Sequence, residues 1–110
     1  MSLVVNTAWR YACLVIQAFG DKATEDIFNG INSREARRIP RTVWPVVQRK
    51  LDMLNAATDL RDLTSPPGNR LEALRGNLAG KHSIRVNDQY RIVFRWMNGN
   101  AYDVVVTDYH

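Results

Sequence analysis

Two periodicities divide this chain. Between residues 42 and 57, Val43, Val47, Leu51 and Leu54 recur at the three-to-four spacing of a helical stripe; Trp44 and Met53 widen it, and Gln48, Arg49, Lys50 and Asp52 are placed facing away. Pro45 falls in the first turn, where a missing N–H is tolerated. A shorter helix is predicted over residues 21–28, opened by the capping residue Asp21, with Glu25 and Asp26 near its start and Gly30 just past its end. Thr64-Ser65-Pro66-Pro67-Gly68-Asn69 cannot continue a helix. Beyond it the period falls to two, predicting strands over residues 70–74, 81–86, 89–97 and 101–107, separated by residues 76–80, Asn87-Asp88 and Asn98-Gly99. Helices followed by hairpins make an α+β domain.

Register decides what such a sheet presents. A three-residue loop, Asn87-Asp88-Gln89, pairs Val86 with Tyr90, Ile84 with Ile92 and His82 with Phe94 on one face. It leaves Arg85 beside Arg91, Ser83 beside Val93 and Lys81 beside Arg95 on the other. The same parity test on the next hairpin prefers a three-residue Asn98-Gly99-Asn100 loop, with Trp96 facing Tyr102, Phe94 facing Val104, Ile92 facing Val106, Arg95 facing Asp103 and Arg91 facing Thr107. One face is then a core surface for the main helix. The other gathers Lys81, Arg85, Arg91 and Tyr109. Like charges set opposite each other cost about 0.2 to 1 kcal/mol per pair. Two readings of that face stand level: an anion sits between the arginines, or their side chains splay into water with Asp88 and Asp103 nearby.

A chain of 110 residues is one domain, able to bury roughly 60–70% of its unfolded surface. Its net charge of +4 favours a polyanionic partner without requiring one. Cys13 is the only cysteine and His82 and His110 the only histidines, so neither a disulfide framework nor a zinc spacing can be assembled; no metal and no cofactor are expected. The longest apolar stretch, residues 12–19, is interrupted by Gln17 and is too short to span a bilayer, which predicts no membrane association and a cytoplasmic protein. His82 is expected to pack beside Phe94, and Trp44, Trp96 and Tyr102 to join the core. Trp9 and Tyr11 are open to either packing or base stacking.

The run Asn77-Leu78-Ala79-Gly80-Lys81-His82-Ser83-Ile84-Arg85-Val86-Asn87-Asp88-Gln89-Tyr90-Arg91-Ile92-Val93-Phe94, followed in order by the closing Asp108-Tyr109-His110, resembles the HigB branch of the RelE/ParE toxin superfamily. The resemblance covers residues 15–110, with a first strand at residues 15–19, and leaves residues 1–14 as an N-terminal extension, native or artefactual. It implies an antiparallel sheet of four to five strands with two N-terminal helices packed on one face. It also implies the toxin of a type II toxin–antitoxin pair that inhibits translation as a metal-independent, ribosome-dependent messenger RNA endoribonuclease. By position, Asp108, Tyr109, His110 and Arg91 match the family's catalytic set, and Arg75 a basic position of the family. Glu72 stands where several members have histidine, as a carboxylate base or a passive surface residue, which implies a weak or conditional nuclease. Arg75, Lys81, Arg85 and Arg95 are the expected RNA phosphate ligands. The implied partners are a HigA-like helix-turn-helix antitoxin, the ribosome with its message, and operator DNA only through the antitoxin. Two alternatives remain: a non-catalytic, gyrase-type inhibitor on the same fold, and a degenerate toxin acting as co-repressor.

Overall fold

The computed structural model describes residues 14–109. Cys13, His110, Trp9, Tyr11 and all of the expected extension except Leu14 lie outside the described residues.

Helix α1 spans Lys22–Phe28, and the Asp21 carboxylate accepts a hydrogen bond from the Thr24 amide at 2.9 Å, as its capping role requires. Gly30 follows with φ 73°. Helix α2 spans Trp44–Ala56 behind a 3₁₀ turn at Arg41–Val43. Val47, Leu51 and Leu54 are completely buried, and Trp44 is buried with its indole N–H donating to the Ile39 carbonyl at 2.8 Å. Arg49 and Asp52 are exposed as expected. Lys50 is not. It is only 9% exposed, because the segment from Leu60–Thr64 through Pro67–Asn69 folds back onto the flank of α2 and supplies Asn69 as its partner. Gln48 is half-buried and donates to the Ile27 carbonyl at 3.0 Å, linking the two helices.

Four antiparallel strands follow in the order β1-β2-β3-β4: Glu72–Ala73, Lys81–Arg85, Tyr90–Met97 and Asn100–Asp108. The first expected hairpin strand keeps only two paired residues, Glu72 opposite Ser83 and Ala73 opposite His82. The segment expected as an N-terminal strand runs parallel to β4 through isolated bridges at Ile16↔Ala101 and Phe19↔Val104. Asn55 of α2 accepts from the Val15 and Ile16 amides, and Thr24 of α1 accepts from the Val106 amide at 2.9 Å. The outer edge of β4 is thereby covered rather than left as an open template.

The β2–β3 register is the expected one, from Lys81↔Arg95 to Arg85↔Arg91. The β3–β4 hairpin differs near its tip. Asn98 and Gly99 both have positive φ, 52° and 78°, and form a two-residue turn that sets Trp96 opposite Ala101 and Arg95 opposite Tyr102. Left alone, that turn would flip every later side chain to the wrong face. A bulge between Val93 and Arg95, with Asp103 at φ 54°, inserts one residue and restores Ile92↔Val106 and Arg91↔Thr107. The turn follows the local preference of Asn-Gly, and the bulge reconciles it with burial of Phe94, Val104 and Val106.

The core lies between the helices and one sheet face: Ile27, Ile39, Val47, Leu51, Leu54 and Leu63 meet Ile84, Ile92, Phe94, Val104 and Val106. His82 stacks on Phe94 on this side, ring centroids 6.2 Å apart, and Trp96 meets Phe94 edge-on.

Two glycines test the account of the hairpin tip. Neither Gly99 nor Gly68 would bring an added methyl within 4 Å of another group, but only Gly99 has positive φ. Gly99→Ala should lower unfolding free energy by about 1 kcal/mol and Gly68→Ala should leave it nearly unchanged, as read by urea denaturation.

Candidate functional site

Strand parity puts Arg91 of β3 on the face away from the helices, opposite Arg85 of β2 and Thr107 of β4, with Ser83 diagonally across on β2. The side chain does not reach into solvent: Arg91 is 9% exposed. Its Nε donates to Ser83 Oγ at 2.8 Å, and Nη2 donates to the Arg70 carbonyl at 2.6 Å and the Ser83 carbonyl at 3.4 Å. Nη2 also lies 3.2 Å from Glu72 Oε1, and the guanidinium carbon sits 5.8 Å from the centre of the Tyr109 ring. A buried guanidinium is tolerable only when its donors are met in this way.

The carbonyl that takes Arg91 is positioned from the helix layer. Arg70 is left-handed, φ 45° and ψ 56°, immediately after the fully buried Asn69. The Asn69 amide donates to the Leu63 carbonyl at 3.1 Å and its oxygen accepts from Lys50 Nζ. Burial, reinforced by the Arg49 and Arg85 charges, holds the Lys50 ammonium below the usual lysine range.

Three expected site residues therefore come together: Glu72, Arg91 and Tyr109. The Glu72 carboxylate side chain is 59% exposed and Tyr109 is 45% exposed, so both border solvent over a buried cation. The Tyr109 amide is anchored by donating to the Gln89 carbonyl at 2.7 Å. Asp108 pairs with Tyr90, which turns it to the opposite face; its Oδ2 accepts from Gln89 Nε2 at 3.1 Å. His110 lies outside the described residues.

Of the expected phosphate ligands, Arg85 is ion-paired with Asp88, and Arg95 with Asp103 at 3.5 Å. Arg85 and Arg95 each lean on a nearby acid, whereas Arg91 turns inward instead of splaying into water. Arg75 is exposed at the entry to the Gly76–Leu78 turn and Lys81 is half-buried at the start of β2; among the described residues neither makes an ion pair. Among the described residues no three His, Cys, Asp or Glu side chains gather as a metal site requires. His82 stays on the helix side, its buried Nδ1 without a hydrogen-bonding partner.

Sequence reasoning missed Ser83, Asn69, Lys50 and the Arg70 carbonyl. The register carried a signal for Ser83, which lies diagonally across from Arg91 within reach of a long side chain. Nothing local announced the other three.

The chain thus has an antiparallel sheet with two helices on one face and an arginine–carboxylate–tyrosine cluster on the other. Residues 17–110 match the family described as the RelE-like toxin HigB of type II toxin–antitoxin systems, and the chain belongs to that family. It is 46% identical over 83 residues to Toxin HigB-1 of Vibrio cholerae serotype O1, covering 76% of this chain and 85% of that protein. It is 29% identical over 97 residues to Endoribonuclease HigB of Proteus vulgaris, covering 87% of this chain and 100% of that protein. Its fold matches a chain of the YoeB–YefM complex from Staphylococcus aureus with TM-score 0.54 at 15% identity, over 86% of this chain and 97% of the other.

The clamp on Lys50 has a pH signature. Because its folded pKa lies below the unfolded value, the folded protein releases this proton first as pH rises, and the unfolded chain binds more protons over that window. Wild-type protein should therefore gain stability relative to Lys50→Met between pH 7 and about 10, the window below the ordinary lysine value. Urea midpoints of the two proteins at both pH values would check this. A constant difference would show that Lys50 titrates as it does in the unfolded chain.

Proposed function

We propose that this toxin is a metal-independent endoribonuclease that cleaves messenger RNA on the ribosome in the cytoplasm and is neutralised by a HigA-like helix-turn-helix antitoxin, through which alone it reaches operator DNA. The observation that carries the reading is the convergence of Glu72 and Tyr109 on the fixed charge of Arg91.

Cleavage by transesterification needs a proton acceptor, charge stabilisation and a proton donor. Glu72, on the solvent side of the cluster, takes the 2′-hydroxyl proton. The 2′-oxygen bonds to phosphorus as the bond from phosphorus to the 5′-oxygen breaks, and that oxygen leaves with a proton from Tyr109 or His110. Arg91 stabilises charge on the phosphoryl oxygens. Being held by Ser83, the Arg70 carbonyl and Glu72, it needs little reorganisation as that charge develops. Arg75 and Lys81 hold neighbouring phosphates. The ribosome supplies what the open face lacks, a rigid grip on the message.

A binding-only inhibitor is the second reading, supported by the acidic partner that each of Arg85, Arg91 and Arg95 already has.

Glu72→Gln separates the two. The side chain is exposed and the change isosteric, so stability should move by less than about 0.5 kcal/mol, while ribosome-bound cleavage should fall by roughly 10²- to 10⁴-fold. Removing Tyr109 and His110 should have an effect of similar size. The combined variant should be little worse than the worse single one, since groups serving one transition state act as a unit. Unchanged cleavage by Glu72→Gln removes that residue from the mechanism. Growth arrest that survives both changes without any cleavage favours the inhibitor.

A further inference from the structure

Two locally costly features meet at one backbone carbonyl. The first is Lys50, buried on the flank of α2, whose ammonium donates to the neutral side-chain oxygen of Asn69 and lies in the field of Arg49 and Arg85. Among the described residues it has no carboxylate partner. A buried ammonium in such surroundings weakens a fold relative to a packed apolar chain of similar length. The second is Arg70, a residue with a Cβ held in the left-handed region at φ 45° and ψ 56°. Asn69 joins the two. It is completely buried, and its amide nitrogen donates to the Leu63 carbonyl at 3.1 Å and the Ser65 carbonyl at 3.4 Å while its oxygen takes Lys50. With that side chain tied to α2, the left-handed step at the next residue turns the Arg70 carbonyl to the sheet, where it accepts from Arg91 Nη2 at 2.6 Å. Backbone strain persists where its surroundings over-determine it, and it clusters where a site must be held in shape.

We propose that Lys50 and Asn69 are positioning residues: from the helix layer they aim the Arg70 carbonyl, and through it they hold the Arg91 guanidinium in the orientation that stabilises charge on the phosphoryl group. The catalytic half of this assignment rests on the endoribonuclease reading, whereas the hold on Arg91 can be measured without it. Ser83 Oγ fixes Nε at 2.8 Å, and a single fixed point is a pivot. The second point must come from Nη2. Its other contacts are longer, 3.4 Å to the Ser83 carbonyl and 3.2 Å to Glu72. Glu72 is also exposed and is the group that accepts a proton in the proposed reaction, so its grip changes during turnover. The Arg70 carbonyl is the acceptor that stays.

The test uses the full chain as Lys50→Met, Asn69→Ala and the conservative Lys50→Arg, which keeps a cationic donor. Solvent exchange of the Arg91 Nε–H is followed by NMR, the signal being identified by its loss in Arg91→Lys. In Lys50→Met and Asn69→Ala it should exchange at least about tenfold faster, while core amides such as those of Ile92 and Phe94 keep their protection, which separates local loosening from unfolding. On ribosome-bound message kcat should fall by roughly 10- to 100-fold with KM within about twofold, the signature of a misplaced group rather than lost binding. Lys50→Arg should recover most of both losses. Combined with Arg91→Ala, Lys50→Met should cost little more than Arg91→Ala alone, because it acts through that side chain. Exchange unchanged in both Lys50→Met and Asn69→Ala would overturn the proposal. So would a kcat loss that persists in full without Arg91, or faster exchange with undiminished kcat. If wild type never cleaves and the Arg91 signal still loosens, the nuclease reading fails and the hold on Arg91 stands.

Discussion

The guanidinium of Arg91 is the interaction on which the outer half of this molecule depends. Taking such a charge out of water costs several kcal/mol before compensation, and the compensation comes from three separate parts of the chain: Ser83 on the neighbouring strand, the Arg70 carbonyl in the loop after the helices, and Glu72 on the edge strand. Ser83 Oγ takes Nε, and the Arg70 and Ser83 carbonyls take Nη2, while Glu72 adds countercharge from the solvent side. The charge that the reaction would use is thus also the charge that fixes the shape of the site.

A second buried cation mirrors it from the helix layer. Lys50 holds the Asn69 side chain while Arg91 holds the next residue's carbonyl, so the dipeptide Asn69-Arg70 is gripped from both sides. Leu63, with Leu60 and Leu71 packed beside it, ties the loop to the core, and this pair of polar clamps fixes its path between them. Polar networks of this kind specify one geometry because partial satisfaction is so costly.

Electrostatics divides the surface into two territories. On the sheet, Arg85, Arg91 and Arg95 are each balanced by an acid, which keeps the like-charged pair Arg85 and Arg91 compatible with the strand register. On the linker between the helices, four arginines stand against a single glutamate. A neutralised, pre-shaped site suits a reaction that needs charge at one point. Unbalanced charge of one sign attracts polyanions at long range.

The sequence by itself determined the two helices, the hairpin order and the β2–β3 register, because a three-residue loop buries Ile84, Ile92 and Phe94 on one face whereas a two-residue loop mixes charge and apolar groups on both. It also brought Arg91 and Tyr109 to one face, and it placed the chain in its family through a run of residues that a reader can recognise without coordinates. The β3–β4 tip escaped it, since Asn98-Gly99 and the core parity demand registers one residue apart and only an inserted bulge at Asp103 satisfies both. Lys50 escaped for a related reason. It borders the apolar stripe of α2, and whether such a border meets water or protein depends on a loop ten to twenty residues away folding back over it. Periodicity reports which side of an element turns inward; which segment then covers its margins, and which polar groups must pair there, is decided by packing between parts of the chain that have no sequence relation to one another.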